Sequence, residues 1–501
     1  MIEKLGTSRM NHDNPNSLDI LFNPRNIVIY KASEKLNYFL AGLKEQKFDD
    51  NKLYLINPEK QEVFGMKCFN SIKQIPEEVI DLLILSVGRD TIIDSLKNIL
   101  TQKKINTIHI FTAGLGESDD VGKDIEKKLV KLLRNNDSGI RAIGPNCMGV
   151  YSPKGHIAYE PFLPIEPGNI SFVFQSGDLH SQTIRMGARR YRLRYAKGAS
   201  VGNCIDLQLS EFLQYYNNDS DTDIIGVYFE GFSKFHPNEG RKFFKVLKQM
   251  KKPVLFMNGG NTKRAQTAVL THTGSIGSDK KIWDSIVKQT PIINVPTSMD
   301  DMVDYLYLFN HFFSRFKKID IKSPEIKYPE GKNVLLILWS GGFGIIDTNM
   351  MTEIGLNVPY FEGEKLEKLR NIYPIKIGSL NNPLDMPWIS SSSKYLEVVK
   401  AAIFENIDLV VIETDIFGDE FNSEHFRNYY NNLLSLKEYT ETLGKTLMLI
   451  LPQYSSKYRE KYLNKLFKDN FIVYPSVRRA AKSFLALYEY GRKLKALSKS
   501  T

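Results

Sequence analysis

The nine residues THTGSIGSD, Thr271 to Asp279, put one imidazole, His272, in a loop of small residues just ahead of a helical pattern, DKKIWDSIVKQ. Gly274 and Gly277 let backbone N–H groups approach a ligand closely, and a helix start favours negative charge. A neutral imidazole against an anion cradle is what phosphoryl transfer through a phosphohistidine requires. The same residue types also make an ordinary helix-capping turn, so spacing leaves both readings open.

Three further strand ends carry chemistry: Gln175-Ser176-Gly177, Gly202-Asn203 with Asp206, and Glu230-Gly231. Gln175-Ser176-Gly177 ends the apolar run NISFVFQ and opens a helix, which offers a second anion site of the same physical kind or a plain cap. Glu230 ends DIIGVYFE. A carboxylate there would fix the tautomer of His272 and raise its nucleophilicity, or would serve as a surface or capping acid.

The elements that must position these groups alternate in a regular way. NIVIY, KLYLINP, DLLILSV, TIHIFTAG and IRAIGPN are short buried runs, with helical patterns such as TIIDSLKNILTQKK and DIEKKLVKLLRNN between them. Such alternation means a parallel sheet covered on both faces, with ligands beyond the carboxyl ends of the strands. The candidate loops are then Lys31-Ala32-Ser33, Asn57-Pro58, Ser86-Val87-Gly88 and Thr112-Ala113-Gly114. A GxGxxG fingerprint is absent. A second αβ block, with strands NISFVFQ, RYAKGAS, DIIGVYFE, PVLFMN and PIINV, closes on the helix SMDDMVDYLYLFNHFF. A third restarts with NVLLILWSGGFG and continues through IDLVVIETDIF, TLMLILPQ and FIVYPS to a long final helix. The resulting division is a loose tail at 1–20, αβ domains at 21–152, 153–316 and 332–501, and a charged, proline-containing linker at 317–331.

The composition of 501 residues, 42 % hydrophobic and 25 % charged, is that of an ordinary globular chain. The net charge of +10 is scattered along helix faces instead of massed in a tail, which argues against nucleic acid. Three separated cysteines, Cys68, Cys147 and Cys204, show no metal-ligand spacing and fit a reducing compartment. No apolar run reaches about 18 residues, so neither export nor membrane spanning is expected and the location is read as cytoplasmic.

Taken together, LFNPR, INP, TAGLGE, GPNCMGV, FQSG, SVGNCID, VYFEGF, THTGS, SGGFG and NNPLD occur in this order and resemble the alpha subunits of ADP-forming acyl-CoA (acetyl-CoA) synthetases, in the succinyl-CoA synthetase superfamily. The resemblance covers nearly the whole chain. It implies an α/β fold, with a Rossmann-like CoA-binding domain followed by two flavodoxin-like parallel-sheet domains. It also implies a reversible reaction in which acid, coenzyme A and ATP give acyl-CoA, ADP and phosphate. Under this resemblance His272 is phosphorylated and Glu230 orients it. Ser176, Gly177, Thr273, Gly274 and Asn146 hold phosphate, while Ala32, Ser33, Lys35, Asn57, Pro58, Val87, Thr112, Ala113 and Gly114 contact coenzyme A. No metal is expected on this chain. ATP or ADP with Mg2+ would sit on a separate ATP-grasp beta subunit, in an alpha2beta2 assembly, since all three blocks are already committed. A carboxylic acid is the remaining substrate.

Four positions depart from the family pattern. Lys31 stands where a Gly is usual, HTGSIGSD is one residue shorter than HTGALAGSD, and Cys204 replaces a Lys. Asp178 follows QSG where a small or hydroxyl residue is usual, and its carboxylate would repel bound phosphate unless His180, two residues on, compensates. The competing reading is therefore a non-catalytic acyl-CoA-binding or regulatory relative of the same fold.

Overall fold

The computed structural model describes residues 16–499 apart from 34–36, 136–138, 261, 266, 268, 270–279, 297, 317–319, 376, 388, 415–422 and 454–457. Lys35 and the whole loop Thr271 to Asp279, with His272, Thr273 and Gly274, lie outside the described residues. The chain divides into two compact units, Met1–Ile321 and Lys322–Thr501.

The first unit holds two sheets. Its N-terminal sheet is built from β1 (Ile27–Tyr30), β2 (Leu53–Ile56), β3 (Glu62–Val63), β4 (Met66–Phe69), β5 (Val79–Leu85), β6 (Lys104–Ile110) and β7 (Arg141–Ile143). Their spatial order is β3-β4-β2-β1-β5-β6-β7, parallel throughout except for the β3–β4 hairpin. Without that hairpin's first arm this is the 3-2-1-4-5-6 order of a doubly wound dinucleotide-type sheet. The central strands β1, β2 and β5 are almost wholly buried because helices cover the sheet. Ile92, Leu96 and Ile99 of the helix Ile92–Leu100 and Leu129, Val130 and Leu133 of Asp120–Arg134 are spaced to bury one stripe each.

The second sheet contains β8 (Gly149–Tyr151), β9 (Pro167–Phe174), β10 (Tyr195–Ser200), β11 (Ile224–Phe229), β12 (Val254–Asn258) and β13 (Ile292–Asn294), in the order β13-β12-β11-β9-β10-β8. From β9 onward the strands are parallel in a flavodoxin-like 2-1-3-4-5 order, and β8 adds an antiparallel edge beside β10. The N-terminal sequence is helical over Asn16–Phe22, so ordered structure begins inside the segment read as a loose tail. Phe22 is fully buried and stacks 5.7 Å from Tyr215 in the helix Leu209–Asn218, which docks the start of the chain onto the second sheet.

The second unit carries β14 (Val334–Leu338), β15 (Leu384–Asp385), β16 (Leu409–Glu413), β17 (Thr446–Ile450) and β18 (Ile472–Tyr474), all parallel in the order β15-β14-β16-β17-β18. This again is 2-1-3-4-5. Its β15 lies within NNPLD, where sequence reading had only a loop. Asn382 of that motif is buried, with Oδ1 accepting the Leu336 N–H and Nδ2 donating to the Val334 and Pro359 carbonyls. No described helix is long and apolar enough to cross a membrane.

Candidate functional site

Both sheets of the first unit end their strands at one cleft of about 600 Å³. Val87 after β5, Thr112 and Ala113 after β6, Asn146 after β7, and Ser176 and Gly177 after β9 all line it. The structure thus unites six residues that sequence reading had assigned to two different ligand parts.

Hydrogen bonds between loops fix this arrangement. The Thr112 hydroxyl donates to the Val87 carbonyl at 2.8 Å, and the Asn146 N–H donates to the Thr112 carbonyl at 3.0 Å. The segment SVGNCID then runs along GPNC: Asn203 N–H reaches the Pro145 carbonyl at 3.0 Å and Ile205 N–H reaches Gly144 at 3.2 Å. Glu117 of TAGLGE bridges the two halves. One of its oxygens accepts the Gly114 and Leu115 N–H groups, and the other accepts Asn203 Nδ2 at 2.7 Å. That bridge was not foreseen, because a loop glutamate and an asparagine 86 residues apart carry no joint signal in sequence.

At the QSG turn, Ser176 is the N-cap of the helix Gly177–Tyr191, its hydroxyl oxygen accepting the Leu179 N–H at 3.4 Å. Capping and ligand binding are compatible here, since the same turn faces the cleft. Gly177 needs its missing side chain: a Cβ there would lie 2.5 Å from Met148 Cγ. Met148 itself is held by its N–H to Ser200 Oγ at 3.1 Å. Asp178 is exposed on the cleft wall. As an acid in the first turn it suits the helix dipole while opposing an anion at the same place.

His180 does not offset that charge. It is fully buried, its Nδ1 lies 2.5 Å from the Tyr159 hydroxyl, and Phe172 and Phe174 flank the ring. Burial lowers its pKa to about 3, so it stays neutral. His109, also buried, with Nε2 3.1 Å from the Cys147 carbonyl, is lowered to about 4 by burial. Between these values and the ordinary 6.5 only the unfolded chain binds the two protons, so stability falls as pH falls through that window. The expected slope is about 1.4 kcal/mol per pH unit for each imidazole. Urea titrations at pH 7 and pH 5 should show a smaller drop in His180→Gln than in the unmodified chain; equal drops would mean that this ring is already protonated in the fold.

Glu230 follows β11 and is buried. Gln175 and Glu230 sit after β9 and β11, the neighbouring strands where the order of the second sheet reverses, which is where such sheets bind ligands. Gln175 Oε1 accepts the Glu230 N–H at 2.5 Å and the Gly231 N–H at 3.1 Å, and its Nε2 donates to the Gly231 carbonyl at 2.9 Å. Burial, and then the Glu230 carboxylate, push the Tyr228 phenol upward.

Of the remaining coenzyme candidates, Ala32, Ser33, Asn57 and Pro58 stand at the ends of β1 and β2 and are not among the residues lining the cleft. Asn57 is buried, donating through Nδ2 to the Ala32 carbonyl at 2.8 Å and accepting the Glu59 N–H at 2.9 Å, so it shapes the first loop. Ser33 is half-buried and Pro58 exposed beside it. Lys31, at φ 62, occupies the left-handed region that favours glycine. Gly114, at φ 81, lies beneath Arg89, with Arg89 Cδ 3.4 Å from where a Cβ would be. Arg89 lines the cleft and sequence reading missed it, although its place two residues past Val87 was the available clue. Cys204 is buried at φ 52, with its thiol on the Gly202 carbonyl at 3.4 Å.

Residues 32–153, which hold the strand ends of the first cleft wall, match the family described as CoA binding domain. Residues 167–309 match the succinyl-CoA ligase like flavodoxin domain. The alpha subunit of ADP-forming acetate–CoA ligase II from Pyrococcus furiosus is 29 % identical over 79 % of this chain and 81 % of its own length. That of acetate–CoA ligase I from the same organism is 26 % identical over 95 % and 98 %. In fold, a dinucleotide-forming acetyl-coenzyme A synthetase 1 from Ca. Korarchaeum cryptofilum superposes with a TM-score of 0.72 over 96 % of this chain and 98 % of that one, at 23 % identity. In sequence and domain order the chain is similar to the alpha subunits of ADP-forming acyl-CoA synthetases, with a CoA-binding match followed by a succinyl-CoA ligase like flavodoxin match.

Proposed function

We propose that this chain is the CoA-binding, phosphohistidine-carrying subunit of an NDP-forming acyl-CoA synthetase, an acid–thiol ligase. The observation that carries the reading is the shared cleft, in which the strand-end loops at Val87, Thr112 and Ala113 face the helix start at Ser176 and Gly177. Coenzyme A lies along the first wall with its thioester toward the second. Phosphate attacks the thioester carbonyl of acyl-CoA, coenzyme A leaves as the thiol, and the acyl phosphate passes its phosphoryl group to His272, releasing the carboxylate. ADP then removes that group, giving ATP. Backbone N–H groups at the helix start stabilise the phosphoryl oxygens, and positioning supplies most of the catalysis.

The relatives named as alpha subunits imply a separate partner subunit. The partner here is an ATP-grasp subunit carrying Mg2+ and the nucleotide, in an alpha2beta2 assembly. Three free, buried cysteines fit a cytoplasmic location. Within the chain the roles divide as 21–152 for the coenzyme, 153–316 for the active histidine and 332–501 for the second flavodoxin-like domain.

Mixing the purified chain with that partner and γ-labelled ATP tests the reading. Acid-labile, base-stable label should appear on this chain and vanish in His272→Ala. No label on the unmodified chain, with coenzyme A still bound, would leave only a binding module.

A further inference from the structure

Among the described residues of the cleft wall, Arg89 carries the one positive charge. Its Nη1 donates to the two Asp119 oxygens at 2.9 and 3.1 Å and to the Gly114 carbonyl at 3.2 Å, and its Nε stands 3.8 Å from Asp90. The Arg89 side chain is 31 % exposed and that of Asp119 is 52 % exposed, so water screens the pair and holds it weakly. Asp119 has a second task that needs no arginine: it caps the helix Asp120–Arg134 by accepting the Gly122 N–H at 2.7 Å. A guanidinium is a planar fork suited to two phosphate oxygens at once. The opposite wall bears Asp178, a carboxylate, so the cleft is electrically polarised. An elongated ligand with phosphates at one end is oriented by such a pair of charges, its anionic end toward the N-terminal sheet and its other end toward the QSG turn.

We propose that Arg89 binds a phosphate group of coenzyme A, exchanging Asp119 for that phosphate as the cleft fills. The inference rests on the CoA-binding reading above and assigns the residue that sets ligand polarity. An exposed ion pair is a cheap partner to surrender, and Asp119 keeps its capping bond after the exchange.

The test is calorimetric titration of the full chain with coenzyme A, beside Arg89→Met and Asp119→Asn. Arg89→Met should weaken binding about tenfold, the usual cost of a charge-assisted hydrogen bond. Asp119→Asn should tighten it about threefold, because asparagine still caps the helix while the competing charge is gone. If Arg89 merely latches the Gly88 and Gly114 loops, Asp119→Asn weakens binding instead, and the proposal is overturned even should Arg89→Met fail to fold. Repeating the titrations with 3′-dephospho-CoA locates the phosphate. Equal losses for both ligands assign the diphosphate, and a loss for coenzyme A alone assigns the 3′-phosphate. Binding by the unmodified chain that Arg89→Met leaves intact removes the Arg89 assignment alone. No binding by the unmodified chain removes the CoA reading as well.

Discussion

If the proposed phosphohistidine chemistry holds, a Glu230→Gln chain paired with the nucleotide-binding subunit proposed above is expected to fold normally and to form phosphohistidine about a hundredfold more slowly. The substitution keeps volume and shape, and the backbone of this residue is held independently of its side chain. Its N–H stays on Gln175 Oε1 at 2.5 Å, and Gly231 is clamped on both sides by the same amide. What changes is charge. A buried carboxylate holds a neighbouring imidazole in one tautomer and stabilises the positive charge it gains while carrying a phosphoryl group; an amide orients without compensating. A residue that served packing alone would leave the rate constant and its pH dependence where they were. The expected signature is therefore a large drop in the single-turnover labelling rate, with a shifted pH profile and an unchanged melting temperature. Unchanged rate and profile would remove Glu230 from the mechanism and leave His272 to be oriented by some other group.

How far this site could be read before the coordinates depended on what kind of signal each part left in the chain. Buried parallel strands are continuous apolar runs, so NIVIY, DLLILSV and VLFMN mark β1, β5 and β12 with little ambiguity. Short edge strands leave no such run. The edge strand β3 is two residues in a tight hairpin with MKCF, which forms β4 with Lys67 exposed and Met66 half-buried, and β8 is three residues inside GPNCMGVY that owe their pairing to the distant β10. β15 is two residues within a motif whose turn chemistry hid it.

Function was legible where one residue type at a strand end has few other uses. Ser176 was ambiguous between cap and ligand site, and the structure shows it capping a helix whose start lines the cleft. Asn57 was read as a coenzyme contact, and its side chain braces the first loop through Ala32 and Glu59. His180 looked like a possible partner for Asp178 because two residues of sequence separate them. Helical geometry instead turns the imidazole inward to Tyr159 while Asp178 faces solvent. Arg89 was passed over because a single arginine beside an aspartate reads as surface. Only the folding of Gly114 beneath it, and of Asp178 onto the opposite wall, gives it a place.

Gly202→Ala is expected to destabilise the first unit by on the order of 3–5 kcal/mol, from overpacking, lost hydrogen bonds and backbone strain together. Gly202 has φ 54, and a Cβ there would lie 2.1 Å from the Pro145 carbonyl oxygen and 2.4 Å from that of Asn146. Neither carbonyl can retreat without loss. Pro145 accepts the Asn203 N–H, Gly144 accepts the Ile205 N–H, and Asn146 is tied through its own N–H to Thr112. Moving the GPNC loop outward would shift Asn146 in the cleft and strain the Glu117–Asn203 bridge as well. Gly65→Ala separates the backbone strain from the other two causes. That glycine, at φ 73 in the turn joining β3 to β4, has nothing within 4 Å of its absent Cβ. It should cost only the dihedral penalty of roughly 1 kcal/mol. Urea unfolding of both variants measures the difference. Equal costs would mean that the seam between the two sheets gives way freely to a methyl group, and that the close approach of Gly202 to Pro145 and Asn146 does not hold the cleft in shape.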